Sequence, residues 1–308
     1  MGAHTVTVLP DLFPGFAERR IKTPPGLEIH VRTGGCGPPL LLLHGYPQTH
    51  VAWHRIAPDL ARHCTLVIAD LRGYGASSAP PGDADHTVYC KRTMGEDCLA
   101  VMRALGYPRF AVAGHDRGGR VAYRLALDHP EAVTALVPID IIPTGEVWRR
   151  ANAAWAVKTF HWSFLAQPKP LPETLIGREP DLWLEATLKA AAGPHDLSPF
   201  SAGALAHYRA LTRNPASVHA ICEDYRAGAG IDRKLDEEDL AAGRKIGCPT
   251  LAMWADNYLA ATPLDVWRPW CTNLAGAAVK SGHYLAEENP AATLAALLPF
   301  LNANAGAA

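Results

Sequence analysis

Apolar and polar positions follow two rhythms along this chain of 308 residues. Short apolar runs ending in a glycine or an acid recur at wide intervals, and between them apolar residues return every three or four positions. The first rhythm is that of a strand, the second that of a helix with one buried face. LEIHVRT (27–33) alternates position by position and predicts a half-buried strand. PPLLLLHG (38–45), CTLVIAD (64–70) and FAVAGHD (110–116) are apolar throughout, as strands covered on both faces are. VTALVPID (133–140), PTLAMWAD (249–256) and AAVKSGH (277–283) predict three more strands. Helical spacing marks HVAWHRIAPDLARH (50–63) and PAATLAALLPFL (290–301). It also marks 93–107, where Met94, Cys98, Val101, Met102 and Leu105 form one stripe. The Ala-rich tail NANAGAA is expected to fray.

Strands alternating with helices predict an α/β fold, a mostly parallel sheet flanked by helices. Residues 144–245 break the alternation: they are rich in Trp, His and Pro and read as several short helices. The expected organisation is therefore a core of 1–143 and 246–308 with a helical cap of 144–245. Ligands of open α/β sheets bind outside the carboxyl ends of the strands, so such a cap would roof the site.

Composition narrows the partner. The content of apolar residues, 48%, suffices for a large core, while with a net charge of −1 and no long Lys/Arg block neither nucleic acid nor an anionic membrane surface is an expected partner. A small molecule is expected instead. Seven scattered cysteines without a C-x-x-C pair fit reduced thiols in a cytoplasm and argue against a disulfide framework or a zinc site. The N-terminus lacks a cationic region followed by an apolar core, and no apolar run approaches ~18 residues. A soluble intracellular protein is the expectation.

Candidate chemistry centres on VAGHDRGGR (112–120), where Asp116 stands between His115 and Arg117 with Gly114 and Gly118 two positions away. A strand ending at Asp116 and a helix starting at Arg117 make the corner of a nucleophile elbow, with Asp in place of Ser. The plain alternative is that Asp116 caps the helix. Arg117 and Arg120 share a face in the first turn, where the helix dipole disfavours cations. Either they pair with acids of the protein or they grip a substrate carboxylate, whose geometry suits arginine. Asp140 and His283 close later strands, giving the order nucleophile, acid, base, with Asp256 as rival acid. The HGYP turn after another strand offers the Tyr46 backbone N–H, and with that of Arg117 it could stabilise an oxyanion. DLRGYGASS and RTGGCGPP read as turns only.

These stretches, with HGYPQTHVAWHRIAP, GHDRGGRVAYRLALDHP, PIDIIPT, HWSFLAQP, CEDYRAGA, TPLDVWR and SGHYLAEE, make the chain resemble the fluoroacetate (haloacetate) dehalogenases of the α/β-hydrolase superfamily over nearly its whole length. The resemblance implies an α/β-hydrolase fold, Asp116 as nucleophile, Asp140 as triad acid, His283 as base, and Arg117 and Arg120 as carboxylate binders. It implies His161, Trp162 and Tyr225 as a halide pocket, no metal or cofactor, a haloacid substrate and a homodimer. Taken as residues, these three aromatics would be packing in a cap helix, though each carries an N–H or O–H that could meet a halide. Tyr208 lies on a helical stripe and reads as core. An epoxide hydrolase would use the same Asp-His-Asp set with Tyr208 and Tyr225 as donors, but a neutral epoxide gives two arginines nothing to bind. A non-catalytic binding protein would have no reason to keep all three groups at separate strand ends.

Overall fold

The computed structural model describes residues 8–24, 26–256 and 262–306. Eight strands form one sheet: β1 (Ala17–Thr23), β2 (Leu27–Gly35), β3 (Pro39–Leu43), β4 (Thr65–Ala69), β5 (Phe110–His115), β6 (Val133–Ile139), β7 (Thr250–Ala255) and β8 (Leu274–Val279). Their spatial order is β1-β2-β4-β3-β5-β6-β7-β8. β2 runs antiparallel to both its neighbours, and every other pairing is parallel.

Successive side chains of a strand point to opposite faces, and here both faces are covered. Leu41, Leu43, Val67 and Val112 pack into one core, whereas Leu40, Leu42, Leu66 and Ile68 pack into the other. Outside the sheet lie α1 (Ala57–Leu60), α2 (Lys91–Ala104) and α3 (Arg117–Asp128). Met94 and Cys98 of α2 join Val121 and Leu125 of α3 in the first core, and Leu60 of α1 lies in the second.

Between β6 and β7 the chain forms eight helices: α4 (Thr144–Arg149), α5 (Ala153–Lys158), α6 (His161–Leu165), α7 (Leu171–Arg178), α8 (Pro180–Ala191), α9 (Ala202–Arg213), α10 (Pro215–Ala229) and α11 (Ile231–Ala241). The two ends of this segment are pinned to α3. Tyr123 donates to Asp236 of α11 at 2.7 Å, and Arg124 pairs with Asp236 at 2.9 Å. The same Asp236 accepts from the Gly145 N–H of α4 at 2.8 Å. After β7 come α12 (Leu264–Trp267), α13 (Leu285–Glu288) and α14 (Pro290–Asn304).

The structure departs from the sequence reading in four places. β1 was not expected, because AERRIKT is almost wholly exposed and shows no apolar alternation. It is an edge strand, where charged side chains discourage further pairing. The last strand was expected at 277–283 but starts at Leu274 and ends at Val279. It also lies at an edge, and its small, half-exposed residues give little apolar signal. The helix expected over 50–63 is split into a 3-10 turn, His50–Trp53, and α1, because Pro58 lacks an N–H and disfavours helical backbone before it. Of the tail expected to fray, residues 302–304 continue α14 and Ala305 is buried, while 307–308 lie outside the described residues.

Candidate active site

Asp116 sits at the corner between β5 and α3 with φ 46° and ψ −114°, and its side chain makes no capping hydrogen bond. The capping alternative therefore fails. A non-glycine residue in this region is strained and is held there only by its surroundings. The surroundings are glycines: a Cβ on Gly114 would meet the Gly118 carbonyl oxygen at 2.4 Å, and one on Gly118 would meet the Leu43 and His44 carbonyl oxygens at the same distance. Gly45 of the HGYP turn has an equally specific reason, since a Cβ there would lie 2.5 Å from the Asp116 Cβ. That close approach lets the Tyr46 N–H donate to Asp116 Oδ1 at 2.9 Å. Sequence reasoning treated the turn as a supplier of one backbone donor, and it is also the wall that admits the carboxylate.

His283 Nδ1 lies 2.6 Å from Asp140 Oδ2. Asp140 has φ 54°, and its Oδ1 accepts from the Ala255 N–H at 2.9 Å. Asp256, the rival, is exposed and its backbone N–H pairs with Val279. The charges around Asp116 decide its state. Burial opposes ionisation, yet His283, Arg120 and Arg117 together hold its carboxyl down at about 2. Burial likewise opposes a proton on His283, but Asp140 and Asp116 outweigh it and raise the imidazole above its usual range.

Asp116 and His283 open into a cavity of about 460 Å³, lined also by Arg120, His161, Trp162 and Tyr225. The Trp162 and Tyr225 rings meet edge to face with centroids 5.8 Å apart, and His161 lies 5.9 Å from Tyr225. Burial pushes His161 down to about 4, so at neutral pH it is an uncharged imidazole with one N–H.

The two arginines part company. Arg117 is wholly buried: its Nε donates to Asp224 Oδ2 at 3.0 Å and its Nη2 to the Asp224 carbonyl at 2.7 Å, while Nη1 has no partner. Arg120 donates Nη1 only to neutral oxygens, the Ile142 carbonyl at 3.0 Å and Thr144 Oγ1 at 3.1 Å. Its Nε is buried without a partner, and among the described residues no carboxylate lies within ion-pair distance of it. Burial and the neighbouring Arg117 push its guanidinium down, the mark of a cation short of an anion. Its carbon centre stands 4.6 Å over the Trp162 ring.

Other residues escaped sequence reasoning. Asp224, which holds Arg117, was one letter in CEDYRAGA, and only the tertiary placement of α10 brings it there. Lys158 and Arg150 also line the cavity. Tyr208 is core, as read from its helical stripe, and its hydroxyl donates to Glu287 at 2.8 Å. Among the described residues His30, His50 and Asp70 are grouped closely enough to hold a metal ion. However, both imidazole Nδ1 atoms face Asp70 at 2.9–3.0 Å, and that carboxylate also accepts the His50 and Ala76 N–H groups. No helix among the described residues is long and apolar enough to cross a membrane.

Comparison with known proteins agrees with the fold. A family model described as alpha/beta hydrolase fold matches residues 38–290. A fluoroacetate dehalogenase from Burkholderia sp is 42% identical, the match covering 94% of this chain and 95% of the relative. A soluble epoxide hydrolase from Corynebacterium sp. (strain C12) is 32% identical over 89% of this chain and 94% of its own. Among solved structures, a candidate alpha/beta hydrolase from Nostoc sp PCC 7120 superposes with TM-score 0.90 at 45% identity, covering 93% of this chain and 98% of that one. The chain therefore belongs to the α/β-hydrolase family, as a relative of the fluoroacetate (haloacetate) dehalogenases.

Proposed function

We propose that the protein hydrolyses 2-haloacetates, converting fluoroacetate and water to glycolate and fluoride. The observation that carries this reading is Arg120, a buried cation without a carboxylate partner beside the ionised Asp116. The named activity of the relative that is 42% identical supports it.

The mechanism follows from which atoms are engaged. Oδ1 of Asp116 is held by the Tyr46 N–H, so Oδ2 attacks the α-carbon of the substrate. Arg120, which lines the cavity, grips the substrate carboxylate, and Arg117, which does not line it, adds its positive charge from the interior. The carbon–halogen pair leaves with the halide, which meets donors from His161, Trp162 and Tyr225. An ester of Asp116 remains. Asp140 holds His283 through Nδ1, which leaves Nε2 to take a proton from water. The hydroxide adds to the Asp116 carboxyl carbon. The oxyanion so formed is stabilised by the backbone N–H groups of Tyr46 and Arg117. Collapse expels the glycolate oxygen, which takes the proton from His283, and the Asp116 carboxyl, held down at about 2, releases the remaining proton to solvent.

Two expected outcomes test the assignments. Asp140→Asn lowers turnover about 10⁴-fold, because His283 loses the partner that sets its tautomer, whereas Asp256→Asn leaves turnover within a factor of about two. The reverse ranking in steady-state halide release would move the triad acid to Asp256. Tyr225→Phe or Trp162→Phe lowers fluoride release about 10²-fold and bromide release much less, since removing a donor costs most where the leaving group is most basic. Equal losses on both halides would make these side chains packing only.

An epoxide hydrolase reading is weaker here, because Tyr208, which that chemistry would need with Tyr225, is spent on Glu287 outside the cavity. Parallel assays on fluoroacetate, chloroacetate and styrene oxide separate the two. Within the same reading, 144–245 acts as the cap and the remainder as the core. A cytoplasmic location fits the seven free cysteines. A homodimer fits the exposed apolar Val157, Leu171, Leu175 and Leu182 on the inserted helices.

A further inference from the structure

Behind His283, away from the substrate cavity, a chain of buried polar groups runs inward. His115 Nε2 lies 2.7 Å from the His283 carbonyl oxygen, and His115 Nδ1 lies 3.0 Å from Gln48 Oε1. Gln48 Nε2 lies 2.6 Å from Glu287 Oε2, which also receives the Tyr208 hydroxyl at 2.8 Å. The His115 and His283 rings are 4.5 Å apart, centroid to centroid. The next residue, Glu288, accepts the N–H groups of Gly282 at 2.8 Å and Tyr284 at 2.9 Å, so the loop bearing His283 is gripped from two sides.

Hydrogen-bond polarity along this chain admits few solutions. A backbone carbonyl only accepts, so His115 carries its proton on Nε2. A neutral His115 then has a bare Nδ1, which needs a donor, and the Gln48 amide must present its NH₂ there. The Gln48 carbonyl is thereby turned to Glu287, and two acceptors cannot face each other at that distance unless the carboxyl carries a proton. This turns the amide over relative to the atom positions given above, since its two ends differ only by the network they join and polarity assigns them.

We propose that Glu287 is an uncharged acid whose proton sets the orientation of Gln48 and His115 and, through them, positions His283 for ester hydrolysis. Three observations agree. Glu287 is 1% exposed and among the described residues has no ion-pair partner. Its Oε1 is buried without a hydrogen bond, which a neutral carbonyl oxygen tolerates far better than half of a carboxylate. Burial raises Glu287 to about 8, and burial with the charge of His283 lowers His115 to about 3.

The groups facing Glu287 are Tyr208 of α9, Gln48 of the turn after β3, Arg55, which donates to its backbone oxygen at 2.7 Å, and Glu288 of its own helix. Of these, Arg55 alone favours the carboxylate by charge, and Glu288 opposes it. Once Glu287 loses its proton, Gln48 turns its NH₂ toward it. The Gln48 carbonyl then confronts the bare Nδ1 of His115, or His115 takes a proton and becomes a cation against His283. Both outcomes disturb the base. Glu287 touches no reacting atom and is a positioning residue.

The inference rests on the reading of His283 as the base, and two measurements keep the two ideas apart. Hydrolysis of the preformed Asp116 ester should slow as pH rises through about 8 in the parent protein. In Glu287→Gln, whose amide donates as the acid does but does not titrate, that alkaline limb should vanish. Glu287→Ala should slow the step about tenfold at neutral pH, as expected for a lost buried hydrogen bond. An alkaline limb retained in Glu287→Gln overturns the proposal. Infrared difference spectra of parent against Glu287→Gln at neutral pH need no turnover. They should show one protonated-carboxyl carbonyl band, shifted in heavy water, that the variant lacks. A carboxylate band in its place also overturns the proposal, whether or not haloacetates are substrates.

Discussion

A His283→Ala variant is expected to release about one halide per molecule and then stop, with the peptide containing Asp116 heavier by a carboxymethyl group. Alkylation asks only that Asp116 be ionised, and Arg120 and Arg117 still favour its carboxylate when the charge of His283 is gone. Hydrolysis of the ester asks for a base. Multiple turnover should fall about 10⁴-fold or more, in line with loss of a base from such a triad. In the parent, one turnover in heavy-oxygen water should label that same peptide and leave the first glycolate unlabelled, because water adds to the Asp116 carboxyl carbon. Labelled glycolate with an unlabelled peptide would sink the covalent route. Water would then attack the substrate directly, with Asp116 as base, and the fold would stand unchanged. In the ester Asp116 carries no charge and Asp140 remains to favour imidazolium, so the rate of ester hydrolysis should first climb with pH as His283 loses its proton, before the fall set by Glu287. Neutral imidazole accepts a proton and imidazolium does not.

Arg120→Met is expected to cost about 2–5 kcal/mol of transition-state stabilisation on haloacetates, the penalty for leaving a carboxylate buried without its cation. The uncharged haloacetamides should lose much less. Arg120 is also one of the positive charges that hold Asp116 at about 2, so its removal should move the acid limb of halide release upward. Equal losses on acid and amide, with an unmoved acid limb, would reduce Arg120 to a packing element under Trp162. The expected split between the arginines is informative in itself. Arg117 already has Asp224, and replacing it leaves that acid and Lys91 to rearrange in the interior. Arg117→Met should therefore cost stability as well as activity, visible as a lowered melting temperature that Arg120→Met does not share.

Much of this protein was legible from local pattern. Buried parallel strands are apolar on both faces, so β3, β4, β5, β6 and β7 stand out as uninterrupted runs. Their ends were legible too, because a strand that must turn sharply into a helix needs glycine or small residues around the turn, and Gly114 and Gly118 flank Asp116 at those places. The order of Asp116, Asp140 and His283 along the chain followed once the strand ends were known. The edge strands β1 and β8 were not legible or were misplaced, since only one side of an edge is paired and its residues need not be apolar.

Other features were decided by tertiary contacts alone. Sequence left Asp140 and Asp256 as rivals, and the distance of 2.6 Å from Asp140 to His283 separates them. Two arginines in one helical turn look alike in the sequence, yet α10 brings Asp224 to Arg117 while no carboxylate among the described residues comes within ion-pair distance of Arg120. The partners of Glu287 come from residues as far away as Gln48, so its protonation belongs to the folded interior. Periodicity records which side of an element is buried, and that is a local property written into each segment. Pairing of charges and sharing of protons depend on which segments meet, and contacts of 2.6–3.0 Å between residues far apart in the chain set them.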